Sequence, residues 1–156
     1  MDNNMADNDT KIINHSITRL LARREHSQQE LIFKLSQKGF SEHAIRSQLR
    51  LFVEKDVQSD SRFVESFIRS KAQRGVGWQR IEKELQQHNI DQRLISEGLI
   101  EADIDFYQIA MQVYGKKYAK KPCKDWQEKQ KRMRFLQYRG FNSDQIQHAL
   151  KNQQDE

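Results

Sequence analysis

Apolar residues in this chain recur at helical spacing, and the recurring set then returns twice. Between Ser27 and Leu51 the apolar positions that recur are Leu31, Leu35, Phe40, Ile45 and Leu49. Fifty positions on stand Ile81, Leu85, Ile90, Ile95 and Leu99. A shift of 101 brings Leu35, Gly39, Phe40, Ile45 and Leu49 onto Leu136, Gly140, Phe141, Ile146 and Leu150. A period of this length means one supersecondary unit used three times, each copy too small to bury its apolar face alone.

The spacing predicts three helices per unit. In the first, Ile13, Ile17, Leu20, Leu21 and Arg24 share one face of a helix starting near Thr10. Ser27 and Glu30 have the spacing of a capping box for the second helix, which Gly39 stops in a left-handed conformation. Ser41 caps the third, whose stripe is Ile45, Leu49, Phe52 and Val53. In the second unit Phe63, Phe67 and Ala72 stand fifty positions after Ile13, Ile17 and Ala22. There Gly77 takes the capping place of Ser27, Asn89 that of the terminal glycine, and Asp91 caps the last helix. The third unit opens on a longer helix, about 105–120, with the stripe Tyr107, Ala110, Met111, Tyr114 and Tyr118; Pro122 either ends it or breaks the loop that follows. Asp125 with Glu128 repeats the capping-box pattern, and Gly140 is the terminal glycine. The middle helix gains nearly a turn, and Asn142 with Gln145 opens the last helix.

The expected fold is all-α: an elongated, curved array of three tandem three-helix repeats, over 10–57, 58–103 and 104–152. Residues 1–9 lack periodicity and read as disordered, and 153–156 read as a tail. Six glycines and one proline leave the helices few breakers, and 36% hydrophobic residues allow only thin apolar stripes. No apolar run reaches the roughly 20 residues a membrane helix needs, and the acidic N-terminus is not a secretory signal, so a cytoplasmic monomer is expected.

Charge changes this picture at one place. The chain carries +5, but the segment from Lys116 to Arg139 alone carries +8. Lys116, Lys117, Lys120, Lys121, Lys124, Lys129, Lys131, Arg132, Arg134 and Arg139 face only Asp125 and Glu128 there. Such a concentration on a mildly acidic background points to a polyanion or an acidic protein surface. Tyr114, Tyr118, Trp126 and Tyr138 lie in or beside it; stacking on bases is one role for them, but most fall on the apolar stripe and are expected in the core.

Catalytic and metal chemistry finds no support. The turn Arg74–Trp78 lacks the strand and the Lys-Ser/Thr pair of a phosphate-binding loop, and reads as a flexible turn capping a helix. The five histidines show no metal-ligand spacing, and four fall near expected helix ends, where imidazole is ordinary surface. Cys123, the single cysteine, has no motif around it and reads as a surface thiol. No enzyme, metal site or cofactor is expected.

Three stretches in order resemble the RecX family, modulators of the recombinase RecA. They are Leu20 to Ser27 followed by Glu30-Leu31, Leu35 and Lys38-Gly39-Phe40; Phe63 followed by Arg74-Gly75-Val76-Gly77, Arg80-Ile81, Glu84-Leu85 and Ile90; and Met133 to Leu136 followed by Arg139-Gly140-Phe141 and Ile146. Asn89 and Trp78 depart from the family's usual residues. The resemblance implies tandem three-helix repeats that lodge in the groove of the RecA nucleoprotein filament. It further implies suppression of RecA's ATP hydrolysis, strand exchange and coprotease activity. A DNA-binding helical protein competing for strands, and a helical scaffold with no nucleic-acid role, stay open as other readings. The last helix of each unit holds few basic side chains, which argues against major-groove reading.

Overall fold

The computed structural model describes the backbone of residues 2–154 and the side chains of 6–152. Within them lie nine helices and no strand: α1 (Asp2–Arg23), α2 (Gln28–Gln37), α3 (Glu42–Glu54), α4 (Asp60–Gln73), α5 (Trp78–Gln87), α6 (Gln92–Ala102), α7 (Phe106–Tyr118), α8 (Trp126–Tyr138) and α9 (Ser143–Gln154). Successive triplets form units one, two and three. In each the first and third helices make the most extensive contact. The surface is 10624 Å², against about 8,300 Å² for a compact monomer of 18.7 kDa, as thin units in a row require.

The helix ends follow the local chemistry. Ser27 Oγ accepts from the Glu30 amide while Glu30 accepts from the Ser27 amide, completing the capping box. Burial works against ionisation of Glu30, but hydrogen bonds from Arg24 and Ser27 overcome it and hold the carboxyl below its ordinary value. Asn142 and Gln145 form the same reciprocal pair before α9. Asp125 accepts from the Glu128 amide, but here the box stays half-built: Glu128 turns away to accept from Arg132 Nε. Gly39 and Gly140 have φ of +95° and +106°, and Asn89, in the equivalent place, +57°. Helix α8 has 13 residues against 10 in α2 and α5, which is the extra turn.

Several expectations need correcting. Helix α1 starts at Asp2, so residues 2–9, expected to be disordered, are its first turns; Met1 lies outside the described residues. No glycine or proline interrupts this stretch. Residues 6–9 are exposed, so propensity rather than packing accounts for these turns. Helix α9 continues to Gln154, into the expected tail, whose last two residues lie outside the described region. Helix α7 stops at Tyr118, short of Pro122, with Ala119 at φ +48°. Phe106, not Tyr107, is the buried aromatic at its start, and Val53 is off the α3 stripe.

The apolar interior has two parts. Ile13, Ile17, Leu31, Ile32, Leu35, Ile45 and Leu49 form the core of unit one by themselves. Units two and three share a single core, in which Phe63, Ile68, Ile81 and Leu85 are continuous with Ala110, Tyr114, Leu136 and Phe141. Helix α4 packs on α7 across this second junction. The backbones meet there as well: the Gly77 amide donates to Arg139 O (2.8 Å) and the Gln79 amide to Gly140 O (3.1 Å). The tail of α8 therefore satisfies free amides at the head of α5. Gly77 is more than a flexible cap, because a Cβ there would overlap the Gly140 backbone.

The first junction is polar. His26, expected at the surface, is only 2% exposed, its Nδ1 3.0 Å from Arg24 O. Burial lowers its pKa from the ordinary 6.5. Gln58 Nε2 donates to His26 O and to Asp60 Oδ1, and Asp60 also accepts from the Gln28 amide at the head of α2. Arg62 completes the set, bonding Glu25 Oε1 (3.1 Å) and Asp56 O (2.7 Å).

Candidate functional site

The basic segment spans the end of α7, the connecting loop and all of α8. Its ten cations do not form one surface. Arg132 is 3% exposed and works inward. Its Nη1 donates to Tyr114 Oη (2.8 Å) and Lys121 O (3.1 Å), its Nη2 to Pro122 O (3.3 Å), and its Nε to Glu128 Oε1 (3.0 Å). The guanidinium also lies 4.4 Å from the centroid of the Tyr118 ring. Burial disfavours its charge, yet these partners outweigh that and raise its pKa. Arg132 therefore leaves the set of contact residues. It ties the 119–125 loop to both flanking helices and so positions Lys120, Lys121 and Lys124, which are exposed.

The remaining cations separate into two groups. Lys129, Lys131 and Arg134 are exposed on α8, and Lys131, Arg134 and Tyr138 follow one face at spacings of three and four. Lys116, Lys117 and Arg139 converge instead on a groove of about 490 Å³ between α4, α7 and α8. Phe135 lies in that groove, with Lys117 Nζ 5.2 Å and Arg139 Cζ 5.7 Å from its ring centroid. Arg74, far outside the basic segment in sequence, lines the same groove. The period of the repeats could have pointed to Arg74 only if it were known that α4 packs on α7.

The aromatics divide in the same way. Tyr114 and Tyr118 are core, as expected; burial raises the Tyr118 pKa. Trp126 and Tyr138 are 72% and 79% exposed, contrary to the expectation of packing. Arg80 of α5 sits 5.6 Å from the Tyr138 ring. Cys123 is half-buried. Among the described residues, no group of His, Cys, Asp and Glu side chains could hold a metal ion, and no helix is long and apolar enough to cross a membrane. The expected structural turns at Ser27, Gly39, Gly77, Asp125 and Gly140 all stand at helix ends.

Comparison with known proteins follows the same three-part division. The description "RecX, first three-helix domain" matches residues 17–47, the second three-helix domain matches 59–99, and the third 103–150. The chain belongs to the RecX family. It is 41% identical over 124 residues to the regulatory protein RecX of Mannheimia succiniciproducens, covering 78% of this chain and 81% of that one. Identity to the RecX of Legionella pneumophila is 39% over 136 residues, 87% of this chain and 91% of the relative. To that of Vibrio campbellii it is 36% over 131 residues, 84% of each. The crystal structure of RecX from Lactobacillus salivarius superposes with a TM-score of 0.77 at 18% identity, covering 94% of this chain and 97% of the other, which supports the fold alone. RecX relatives are named as regulatory proteins, which points to a role without catalysis; recombination and repair are the processes that follow from the family.

Proposed function

We propose that the chain is a cytoplasmic regulator of RecA that acts as a monomer by binding alone. It inhibits ATP hydrolysis, strand exchange and coprotease activity by lodging in the groove of the RecA nucleoprotein filament. The observation that carries this reading is the match of all three RecX domains, in order, to the three units. Two features of the molecule support it. An extended array can span neighbouring subunits of a helical partner. The exposed cations of α7, the 119–125 loop and α8, namely Lys116, Lys117, Lys120, Lys121, Lys124, Lys129, Lys131 and Arg134, with the half-buried Arg139 after them, suit a partner with acidic surface and bound nucleic acid.

The test is RecA-dependent ATP hydrolysis on single-stranded DNA with the chain added well below the RecA concentration. Inhibition at such levels is expected, because one bound molecule halts many subunits. Exchange of Lys120, Lys121 and Lys124 for Glu should weaken inhibition and leave the helical content intact, since none of the three is packed. A second reading, direct competition for DNA, draws on the exposed Tyr138 beside Arg80, Lys131 and Arg134. It predicts that inhibition disappears as free single strands are added in excess. That outcome would displace the filament-binding reading.

A further inference from the structure

Arginines on the rest of the surface are largely neutralised by a carboxylate one turn away: Arg46 by Glu42, Arg50 by Glu54, Arg69 by Glu65, Arg80 by Glu84 and Arg93 by Glu97. The groove between α4, α7 and α8 is built differently. Arg74, Lys116, Lys117 and Arg139 line it, no carboxylate does, and none of the four has an acidic partner among the described residues. Like charges held together without a counter-charge cost free energy until an anion arrives.

From this we infer that the groove receives a short acidic peptide segment carrying apolar side chains. Between the cations the lining is apolar, supplied by Ile109 and Val113 with Phe135. A polyanion without apolar groups would leave that surface unused. Lys117 and Arg139 both lie over the Phe135 ring, so a nucleobase stacking there would compete with two cations. The exposed aromatics that could stack on bases, Trp126 and Tyr138, are not part of this groove. Gln73 and Gln112 also line it, and their amides can both donate to and accept from a peptide backbone, whereas a phosphodiester has no donor to offer. The site exists only where units two and three meet: a Cβ on Gly75 would approach Val113 Cγ2 to 2.7 Å, so the α4–α5 turn is seated directly on α7. The inference gives a chemistry to part of the surface proposed above and rests on that reading for its biological setting, but not for the binding itself.

Fluorescence anisotropy of the full chain tests it with three labelled probes: a short peptide alternating Glu-Glu with Leu-Leu, the same peptide with Ser for Leu, and an oligothymidylate. The Glu/Leu peptide should bind best. Its affinity should fall about tenfold in Lys116→Gln/Lys117→Gln, recover in Lys116→Arg/Lys117→Arg, and be unmoved by Lys131→Gln/Arg134→Gln. Circular dichroism should show the same melting curve for all variants. Equal affinity for the two peptides, or insensitivity to the Lys116/Lys117 exchange, overturns the inference. So does oligothymidylate binding that depends on Lys116 and Lys117 and is not displaced by the Glu/Leu peptide. RecA inhibition that persists while the titration fails removes only the groove assignment. A chain without effect on RecA that still binds the peptide removes only the proposed function.

Discussion

The two junctions of the array join identical kinds of unit by opposite means. Between units two and three the cores merge, and two glycines bring the head of α5 against the tail of α8. Between units one and two the cores stay separate, and the contact consists of Gln58, Asp60, Arg62, Glu25 and the backbone of His26. Apolar area removed from water contributes in proportion to its extent, whereas exposed ion pairs contribute about 0–1 kcal/mol each. Gln58 also leaves its buried Oε1 without a donor among the described residues, which costs rather than stabilises. A small pair of positions marks the contrast: Ala72 is buried in the second unit, and Ala22, fifty positions earlier, is bare. The molecule is thus a fused pair of units with a third attached by polar contacts, and a repeat protein need not couple its neighbours equally.

The sharpest way to break this comparison is Gly77→Ala. The added methyl meets backbone that cannot move cheaply, so a loss of about 3 kcal/mol is expected, with units two and three melting together at lower temperature. Denaturant unfolding followed by far-ultraviolet circular dichroism measures it; an unchanged midpoint would mean that the glycine contact is not what joins the units. Arg132→Ala should cost about 2 kcal/mol by freeing the 119–125 loop and stranding Tyr114 Oη and Glu128. Amide exchange confined to that loop would confirm that Arg132 positions it. Asp60→Ala acts on the other junction and should cost about 1 kcal/mol, through the Gln28 amide and Gln58 Nε2. Here the expected signature is an earlier, separate transition of unit one with units two and three unaffected. Gly39→Ala tests the same turn as Gly140 but with nothing within 4 Å of the new methyl, so only the strain of φ +95° remains, about 1 kcal/mol.

The smallest effect is that of pH. His26 has a folded-state pKa below the ordinary 6.5, so the unfolded chain binds its proton more readily. Its contribution is fully present above pH 6.5 and is lost as pH falls from there through the folded value. Unit one should therefore loosen on acidification from about pH 7.5 down through the folded-state value. Replacing His26 by Gln should flatten that part of the profile.

What was legible in the sequence is what each unit does with its own residues. The capping pairs at Ser27 and Asn142, the left-handed Gly39, Asn89 and Gly140, and the apolar sets from Leu31 to Leu150 depend on neighbours a few positions away or on helical period, and both are written in spacing. What lay between units was not legible. Periodicity tells that Arg74 and Arg139 are on helix ends, but not that one groove holds both. It placed Arg132 with the surface cations because a charge is ordinarily solvated, and only the convergence of Tyr114, Glu128 and two carbonyls makes its burial affordable. His26 and Trp126 were misjudged for the same reason in opposite directions. Burial at a junction depends on whether the next unit closes over the residue, and the period is silent on that.

The contact of Gly77 with Arg139 and Gly140 has a consequence for synthesis on the ribosome. Unit one has a core of its own, complete once Glu54 has emerged, and can fold early. Unit two cannot finish when its last helix appears. The amides of Gly77 and Gln79 wait for carbonyls more than sixty positions downstream, and much of its apolar surface waits for Leu136 and Phe141. Until then a nascent chain exposes Ile81 and Leu85 on an unfinished face, so the interval between residues 103 and 141 is when holding chaperones have most to bind. A ribosome stalled in that interval should carry a chain whose first unit resists protease while its second is still cut.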